Sequence, residues 1–384
     1  MGIEELQLLY KKHKEEHLNH RYITNTHIKP LLLALSDSIE VKGIGTSVLG
    51  DDIYAINIGS GSKRVLMWSQ MHGNESTTTK AVFDFLNTCI SGSLITDKIL
   101  EMCTLCIIPI LNPDGAKAYT RVNANNIDLN RDAQQLSQPE SKVLRKEFER
   151  FKPHFCYNLH GQRTIFSAGS VKKSAIVSFL APAQDKECTI TENRKVAMDI
   201  IAEMNAYLQQ IIPGQVGVYD DAFNINCVGD TFQSENVPTI LFEAGHFPDD
   251  YPREKTRELI YISYITSLLH ISSNEVSGRN YQPYFNIPQN GKLFFDIIIR
   301  NARLEKESND VIDIAFQFKE KLIGNSIQFI PILQKLEKLP GFFGHKEIDA
   351  EGGVVLNKDD EMLEIGSENV FVKLNNEKIT LFLK

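Results

Sequence analysis

Hydrophobic and polar positions alternate along the first 273 residues in two distinct rhythms. Short apolar runs bounded by polar turns predict buried strands, and apolar residues spaced three or four apart predict helices. The predicted strands are residues 65–68, 105–111, 155–159, 176–181 and 238–242. The predicted helices are residues 77–90, 139–151, 196–211 and 253–269, the second of them marked at its start by Ser137, Pro139 and Glu140. This alternation is typical of a layered α/β domain.

The pattern changes after residue 273. Residues 272–291 are rich in Ser, Asn, Gly and Pro, which is typical of a linker. Beyond them, short β-rich runs at 293–299, 327–332, 370–374 and 379–383 are separated by charged turns. The sequence therefore predicts a first domain over residues 1–275 and a smaller, mostly β domain over residues 290–384, a usual domain size.

Composition excludes several classes of protein. The chain has 384 residues, of which 42% are hydrophobic and 23% charged, as in an ordinary globular protein. No apolar stretch approaches the ~18 residues that a membrane-spanning helix needs, and the first residues lack the pattern of a secretory signal. A net charge of −8 argues against a general affinity for nucleic acid. We expect no nucleic-acid partner and no membrane partner; the sequence leaves the oligomeric state open.

The cysteines favour a reducing compartment. Six cysteines in 384 residues are too few for a disulfide scaffold, and four of them lie in apolar runs. Cys103 and Cys106 form a single Cys-x-x-Cys pair, but their spacing in a strand points the two side chains to opposite faces. The sequence therefore predicts a cytoplasmic protein without a metal or redox role for this pair.

The most informative segment follows the first predicted strand, where His72 and Glu75 are three residues apart at a strand-to-helix turn. Such a pair can converge on one ion, and zinc accepts imidazole nitrogen and carboxylate oxygen. The motif alone is weak, because His13 and Glu16 repeat it within a Lys/Glu-rich segment that reads as an amphipathic helix. There a solvated helical face is the favoured interpretation.

Context separates the two copies. Ligands of open α/β sheets bind at the carboxyl ends of strands, where His72 and Glu75 lie. His160 ends the strand at 155–159 in the same way, and Glu243 ends the strand at 238–242. Three strand ends thus offer two histidines and two glutamates, enough for a His2Glu zinc site and a spare carboxylate as general base.

In order and spacing, these residues resemble the zinc metallocarboxypeptidases of the carboxypeptidase A superfamily. The matching segments are His72-Gly73-Asn74-Glu75, Asn112-Pro113-Asp114-Gly115, Arg121 with Asp128-Leu129-Asn130-Arg131, then His160 and Glu243. The resemblance covers about residues 65–245 and leaves the β-rich C-terminal region unexplained. It implies a mixed-sheet α/β/α zinc-peptidase catalytic domain, to which the smaller, mostly β C-terminal domain is added.

The resemblance also implies a role for each site residue. His72, Glu75 and His160 would bind one zinc ion per chain, and Glu243 would act as the general base. Arg121 matches the arginine that stabilises the oxyanion, and Asn130 and Arg131 match the pair that holds the terminal carboxylate of the substrate. Tyr219 is the nearest candidate for the family's substrate-capping tyrosine, although it aligns poorly.

Several positions depart from the family pattern and bear on the choice of substrate. Asn74 stands where peptide-cleaving members often carry arginine, Asp132-Ala133 follows the Asn-Arg pair where Asn and an aromatic residue are usual, and Asn158 replaces a common acidic residue. The chain is also similar to the aspartoacylase and succinylglutamate desuccinylase branch, which hydrolyses N-acyl amino acids.

The leading hypothesis is a zinc-dependent metallocarboxypeptidase that hydrolyses the C-terminal amide bond of a peptide or peptide-like substrate through a zinc-activated water. The alternative is a zinc-dependent deacylase acting on N-acyl amino acids. A binding protein that kept the zinc but lost catalysis is disfavoured, because a structural zinc site has four protein ligands and needs no free base such as Glu243.

Overall fold

The computed structural model describes residues 2–36, 39–273 and 275–382. The chain divides into two compact units, one of residues 1–162 and 175–290 and the other of residues 163–174 and 291–384. The domain limits predicted from sequence, 1–275 and 290–384, did not anticipate that residues 163–174 group with the C-terminal residues. Among the described helices, none is both long and apolar enough to cross a membrane.

The first unit is built on an eight-stranded mixed sheet with the strand order β1-β2-β4-β3-β5-β9-β7-β8. Its central strands β4, β3, β5 and β9 are parallel, and antiparallel pairings flank them. The strands are β1 (Glu40–Thr46), β2 (Asp52–Ile58), β3 (Lys63–Ser69), β4 (Cys103–Ile108), β5 (Phe155–Gly161), β7 (Val177–Leu180), β8 (Val216–Val218) and β9 (Thr239–Ala244), with β6 (Phe166–Ala168) in the second unit.

Helices cover both faces of this sheet. The helices are α1 (Ile3–His13), α2 (Asn25–Leu35), α3 (Thr77–Ile90), α4 (Leu94–Met102), α5 (Pro113–Ala118), α6 (Pro139–Phe151), α7 (Glu192–Leu208), α8 (Val228–Ser234) and α9 (Glu254–Ser273). One core joins the sheet to α1–α4, α7 and α9, and a second joins its other face to α6 and α8. The predicted mixed-sheet α/β/α architecture is therefore confirmed.

Strand alternation explains how one sheet serves two cores. In β3, Val65 and Met67 pack into the first core while Leu66 and Trp68 pack into the second. Cys103 and Cys106 of β4 divide in the same way, as their odd spacing predicted. Burial raises the pKa of Cys103 to about 11 and that of Cys106 to about 12, so both remain thiols at neutral pH.

The start of α6 differs from the prediction. The N-cap is Gln138, and no side chain caps the helix. Ser137 instead donates from its hydroxyl to Asp132, while Glu140 accepts from Val48 N and Asn123. The helix itself spans Pro139–Phe151 as predicted, because the Pro at its first position and its apolar stripe suffice.

The second unit is mostly β. Four strands form one sheet in the order β13-β12-β11-β14, and three more form a small sheet in the order β15-β16-β17. The strands after residue 289 are β10 (Asn290–Lys292), β11 (Phe294–Ala302), β12 (Ile312–Ile323), β13 (Ser326–Glu337), β14 (Phe343–Asp349), β15 (Val355–Leu356), β16 (Phe371–Leu374) and β17 (Glu377–Thr380). Each of the four predicted runs overlaps a strand, although Leu383 of the last run lies outside the described residues.

Residues 163–174 are tied into this second unit by side chains. Gln317 donates to the Thr164 hydroxyl at 2.7 Å, and His345 Nε2 lies 2.7 Å from Thr164 O. Lys172 pairs with Glu347 at 2.9 Å. The segment leaves the first unit two residues after His160 and returns to it at Ala175.

Candidate metal centre and active site

Parallel strands bring the predicted site residues to one edge of the large sheet. Strands β3, β5 and β9 are adjacent, and their carboxyl ends lie on the same side. His160 of β5 is in register with Glu243 of β9, so both side chains project from the same face. His72 and Glu75 lie in the turn between β3 and α3 at this edge.

Backbone packing shapes the turn that carries His72. A Cβ at Gly73 would lie 1.9 Å from the carbonyl carbon of Gly115, so only glycine permits this approach. Asn112 caps α5 by accepting from Gly115 N at 2.8 Å and donates to Met71 O at 3.1 Å. The Asn-Pro-Asp-Gly segment therefore forms the beginning of α5, not only a turn, and it supports the His72 loop.

Three donor groups converge at the strand ends. His72 Nδ1 lies 3.0 Å from Glu75 Oε1, His160 Nδ1 lies 3.0 Å from Glu75 Oε2, and the two Nδ1 atoms are 3.0 Å apart. Among the residues that the structure describes, these three form the one group of at least three His, Cys, Asp or Glu side chains arranged to hold a metal ion. Both histidine side chains are 2% exposed.

The arrangement fits a cation better than a set of hydrogen bonds. Asp128 Oδ1 lies 2.9 Å from His72 Nε2, and an ionised carboxylate can only accept, so the Nε2 of His72 carries the proton. In the neutral ring that a metal binds, the Nδ1 of His72 would therefore turn its lone pair toward the Glu75 carboxylate and His160. Ligand atoms about 2.0–2.1 Å from a tetrahedral zinc would be about 3.3 Å apart, close to the spacing here.

The charges of the cluster reflect the same geometry. Burial opposes ionisation of Glu75, but His72 and His160 outweigh it and hold the pKa of Glu75 well below its usual range. Burial would lower the pKa of His72, but Glu75 and Asp128 together raise it. Burial lowers the pKa of His160. A carboxylate anion between two imidazoles is a donor set that zinc accepts.

Glu243 lies beside this cluster in a different environment. Burial, reinforced by the negative charge of Glu75, raises its pKa well above the usual value, while Arg121 and Arg253 lower it. Within the described part of the chain, its Oε2 is buried and has no hydrogen-bond partner. A desolvated carboxylate with a free oxygen is suited to taking up a proton.

Of the residues predicted to face the substrate, Arg121 contacts the cluster directly, and Asn130 and Arg131 follow Asp128 in the chain. Arg121 donates from Nε to Asp128 at 3.1 Å and from Nη1 to Glu75 at 3.3 Å, and about half of its side chain is exposed. Asn130 Oδ1 accepts from Val228 N at 3.1 Å, so its Nδ2 is the group that can donate to a ligand. Arg131 is exposed and donates to Asn130 O at 2.8 Å.

Tyr219 follows β8 and is half-buried. Burial, followed by Glu243 and Glu75, raises the pKa of its phenol far above the usual value. The phenol is therefore a neutral donor within the electrostatic range of both glutamates. Its role in holding substrate stays a prediction.

Asp128 belongs to the matched segment Asp128-Leu129-Asn130-Arg131, but the sequence predicts no role for it. Its contacts with His72 and Arg121 explain why an acidic residue precedes Asn130 in the matched segment. Asp132, one of the departures from the family pattern, accepts from Ser137 N at 3.0 Å and Gln138 N at 2.9 Å. It thus organises the loop before α6 and is not part of the metal cluster.

Known proteins are similar to the part of the chain that carries His72, Glu75 and His160. Residues 25–189 match the family described as zinc carboxypeptidase. A probable carboxypeptidase 2 of Trichophyton verrucosum is 30% identical over 101 residues, which are 26% of this chain and 20% of that protein. A gamma-D-glutamyl-L-diamino acid endopeptidase 1 of Lysinibacillus sphaericus is 40% identical over 81 residues, 19% of this chain and 20% of that protein. The chain thus spans about a fifth of the length of these curated relatives.

Solved structures agree in fold. A metallo-carboxypeptidase from Burkholderia cenocepacia superposes with a TM-score of 0.54 at 17% identity, over 65% of this chain and 70% of that one. Carboxypeptidase A from Helicoverpa armigera gives a TM-score of 0.52 at 14% identity, over 73% of this chain and 81% of that one. The matched residues 25–189 contain His72, Glu75 and His160. The resemblance seen in the sequence is confirmed: residues 25–189 match the zinc carboxypeptidase family, and the solved metallo-carboxypeptidase structure shares the fold.

Proposed function

We propose that this protein is a zinc-dependent metallocarboxypeptidase that removes the C-terminal residue of a peptide or peptide-like substrate. The observation that carries the proposal is the convergence of His72, Glu75 and His160 at mutual distances of 3.0 Å, with Glu243 in register beside His160. The three convergent residues would hold one zinc ion per chain. When bound, the zinc would lower the pKa of water and polarise the scissile carbonyl.

Glu243 would act as the general base. Its buried carboxylate with a free Oε2 can take a proton from the attacking water and deliver it to the leaving amine as the C–N bond breaks. Its raised pKa makes the carboxylate a stronger base than an exposed glutamate. Arg121 would leave part of its contact with Glu75 and Asp128 to face the developing oxyanion, because about half of its side chain is exposed and it carries a fixed charge.

Asn130 and Arg131 would recognise the terminal carboxylate of the substrate. Val228 N holds Asn130 Oδ1, so the amide presents its Nδ2 donor. Arg131 adds an exposed guanidinium, whose planar fork can bind a carboxylate through two parallel hydrogen bonds. Tyr219 would close over the bound residue as a neutral donor.

The alternative hypothesis, a zinc-dependent deacylase of N-acyl amino acids, has weaker support. Its substrates, N-acyl amino acids, also carry a carboxylate, but the relatives in sequence and fold are carboxypeptidases and a peptidase acting on a gamma-D-glutamyl bond. We therefore keep peptides, including peptides with non-standard linkages, as the substrate class. A cytoplasmic location is part of the proposal, because all six cysteines are free and four of them are buried.

A panel of substrates tests this proposal. Zinc-loaded protein is incubated with peptides that end in a free carboxylate, the same peptides ending in an amide, gamma-D-glutamyl diamino acid peptides and N-acyl amino acids. We expect release of the C-terminal residue from free-carboxylate peptides only, and no release after treatment with a chelator. Hydrolysis confined to N-acyl amino acids would overturn the proposal in favour of a deacylase.

The variant Arg131→Met tests whether Arg131 recognises the terminal carboxylate of the substrate. Removing a charge-assisted contact should raise KM for free-carboxylate peptides by about 10- to 100-fold, because such contacts are worth about 1.5–3 kcal/mol. The ratio between free-carboxylate and amidated substrates should fall by the same factor. An unchanged ratio would show that Arg131 does not recognise the carboxylate.

A further inference from the structure

Arg253 is a buried cation at the end of the two strands that carry the candidate active site. It immediately precedes α9 and its side chain is almost entirely buried. Its Nη1 donates to Ala244 O, and its Nη2 donates to Gln162 O at 2.8 Å. Ala244 follows Glu243 directly, and Gln162 lies two residues after His160.

These two carbonyl groups mark the end of the β5–β9 pairing. The parallel register pairs His160 with Glu243 and Gly161 with Ala244, and Gln162 N then donates to Ala244 O at 2.9 Å. One guanidinium therefore bridges the last residue of β9 and the first residue after β5, just beyond the candidate base and the candidate zinc ligand. Arg253 also contributes positive charge that opposes the rise in the pKa of Glu243.

The backbone of Arg253 has an unusual conformation. Its φ angle is +63°, in the left-handed region that non-glycine residues rarely adopt. The residue is held there by Arg253 N donating to Asp250 O at 3.0 Å and by Arg257 N donating to Arg253 O at 2.9 Å. A glycine would adopt this φ without strain. The presence of arginine therefore indicates that its side chain has a role at this position.

We infer that Arg253 is a positioning residue that holds the ends of β5 and β9 together and so fixes His160 relative to Glu243. This inference rests on the proposed function. The planar fork of arginine suits this task, because two nitrogens of one rigid group reach two acceptors at once. A lysine ammonium at the same place is a point charge on a flexible stem and would hold the two carbonyl groups less rigidly.

Arg257, one turn later in α9, is a matched control. It is equally buried, and its guanidinium contacts Asp84 at 2.5 Å and 2.6 Å and the carbonyl oxygens of Leu18 and Glu15. It thus joins α9 to α3 and to the segment after α1, away from the strand ends that carry His160 and Glu243. Lysine at either position makes the same chemical change in the same helix region.

The test compares Arg253→Lys and Arg257→Lys in the full chain, with Arg253→Gln made in parallel in case Arg253→Lys does not fold. Zinc affinity is measured by competition with a chromophoric chelator, and kcat and KM are measured on the best peptide of the panel. We expect Arg253→Lys to lose about 10- to 100-fold in kcat, in zinc affinity or in both, as changes to groups that support metal ligands do. KM should stay within about threefold if the effect is one of positioning.

Arg257→Lys should lower the melting temperature while leaving kcat and zinc affinity within about twofold of the parent. The inference is overturned if Arg253→Lys keeps both quantities within about twofold, or if Arg257→Lys loses as much as Arg253→Lys does. Zinc affinity separates this inference from the proposed function. A parent chain that binds zinc but cleaves no peptide would reject the function, and the positioning role of Arg253 would still be decided by the affinities.

Discussion

Two segments of this molecule share the pattern His-x-x-Glu, but only one of them brings its two side chains together. In His72-Gly73-Asn74-Glu75, the His72 side chain is buried, the Glu75 side chain is 11% exposed, and the two meet at 3.0 Å beside His160 at a strand end. In His13-Lys14-Glu15-Glu16, α1 ends at His13, so Glu16 lies beyond the helix and 71% of its side chain is exposed. The difference teaches that the supporting backbone, not the spacing, creates the candidate metal centre.

The second segment also corrects an expectation. The sequence predicted a solvated helical face there, but the two residues do not share a helix, because the helix ends at the first of them. Glu15, between them, is the carboxylate with a structural role. It is buried and accepts from His17 N at 3.0 Å and Asn87 Nδ2 at 3.1 Å.

The largest expected effect comes from making the same His→Ala and Glu→Gln substitutions in both segments. His72→Ala or Glu75→Gln should abolish stoichiometric zinc binding and reduce peptide hydrolysis to background, because two donors do not hold zinc tightly. His13→Ala and Glu16→Gln make the same changes in the other segment and should leave both properties within about twofold. Metal analysis of the purified proteins decides the comparison, and equal zinc content in all four variants would contradict it.

Glu243→Gln should have the next largest effect. We expect kcat to fall by about 100- to 10 000-fold, the usual contribution of a general base. Zinc content should remain at the parent level, since Glu243 is outside the three-residue donor cluster. Turnover equal to that of the parent would remove Glu243 from the mechanism.

Asp128→Asn should have an intermediate effect. Losing the carboxylate that orients His72 should weaken zinc binding by about 10- to 100-fold, as is typical for the groups that support histidine ligands. Competition with a chelator measures this change. The look-alike segment has no comparable test, because the described contacts of His13 include no carboxylate; its ring lies 3.4 Å from the Ser91 hydroxyl.

Much of this site was predictable because the ends of buried strands can be located in the sequence as the ends of apolar runs. The apolar runs at 155–159 and 238–242 placed His160 and Glu243 at the ends of β5 and β9, and the run at 65–68 placed His72 just after β3. The region of the second unit was predicted as β-rich, but β10, β12, β14 and β15 lie outside the predicted runs. In β12 and β14, charged residues interrupt the apolar pattern.

Other features leave no signal in a single sequence. The positioning role of Arg253 depends on two backbone carbonyl groups, which any residue type supplies. The grouping of residues 163–174 with the C-terminal unit depends on contacts across more than 150 positions, such as Thr164 with Gln317. Periodicity reports local structure and burial, so partners this distant in sequence remain invisible to it.

The smallest expected effect belongs to the structural carboxylate of the look-alike segment. Burial raises the pKa of Glu15, but hydrogen bonds from His17 and Asn87 outweigh it and hold the pKa below the ordinary 4.5. Glu15→Gln should therefore cost about 1–2 kcal/mol of unfolding free energy at pH 7, with activity unchanged. Because the folded pKa is the lower one, the difference should shrink as the pH falls below 4.5. Urea denaturation at several pH values measures it, and a difference that grows in acid would contradict the assignment.

The central claim is that His72, Glu75 and His160 hold a zinc ion, and anomalous diffraction at the zinc absorption edge tests it most directly. The account predicts one strong peak per chain, about 2.0–2.2 Å from His72 Nδ1, His160 Nδ1 and a carboxylate oxygen of Glu75. A zinc-loaded crystal with no peak between these three residues, or with its strongest peak elsewhere in the chain, would contradict the account.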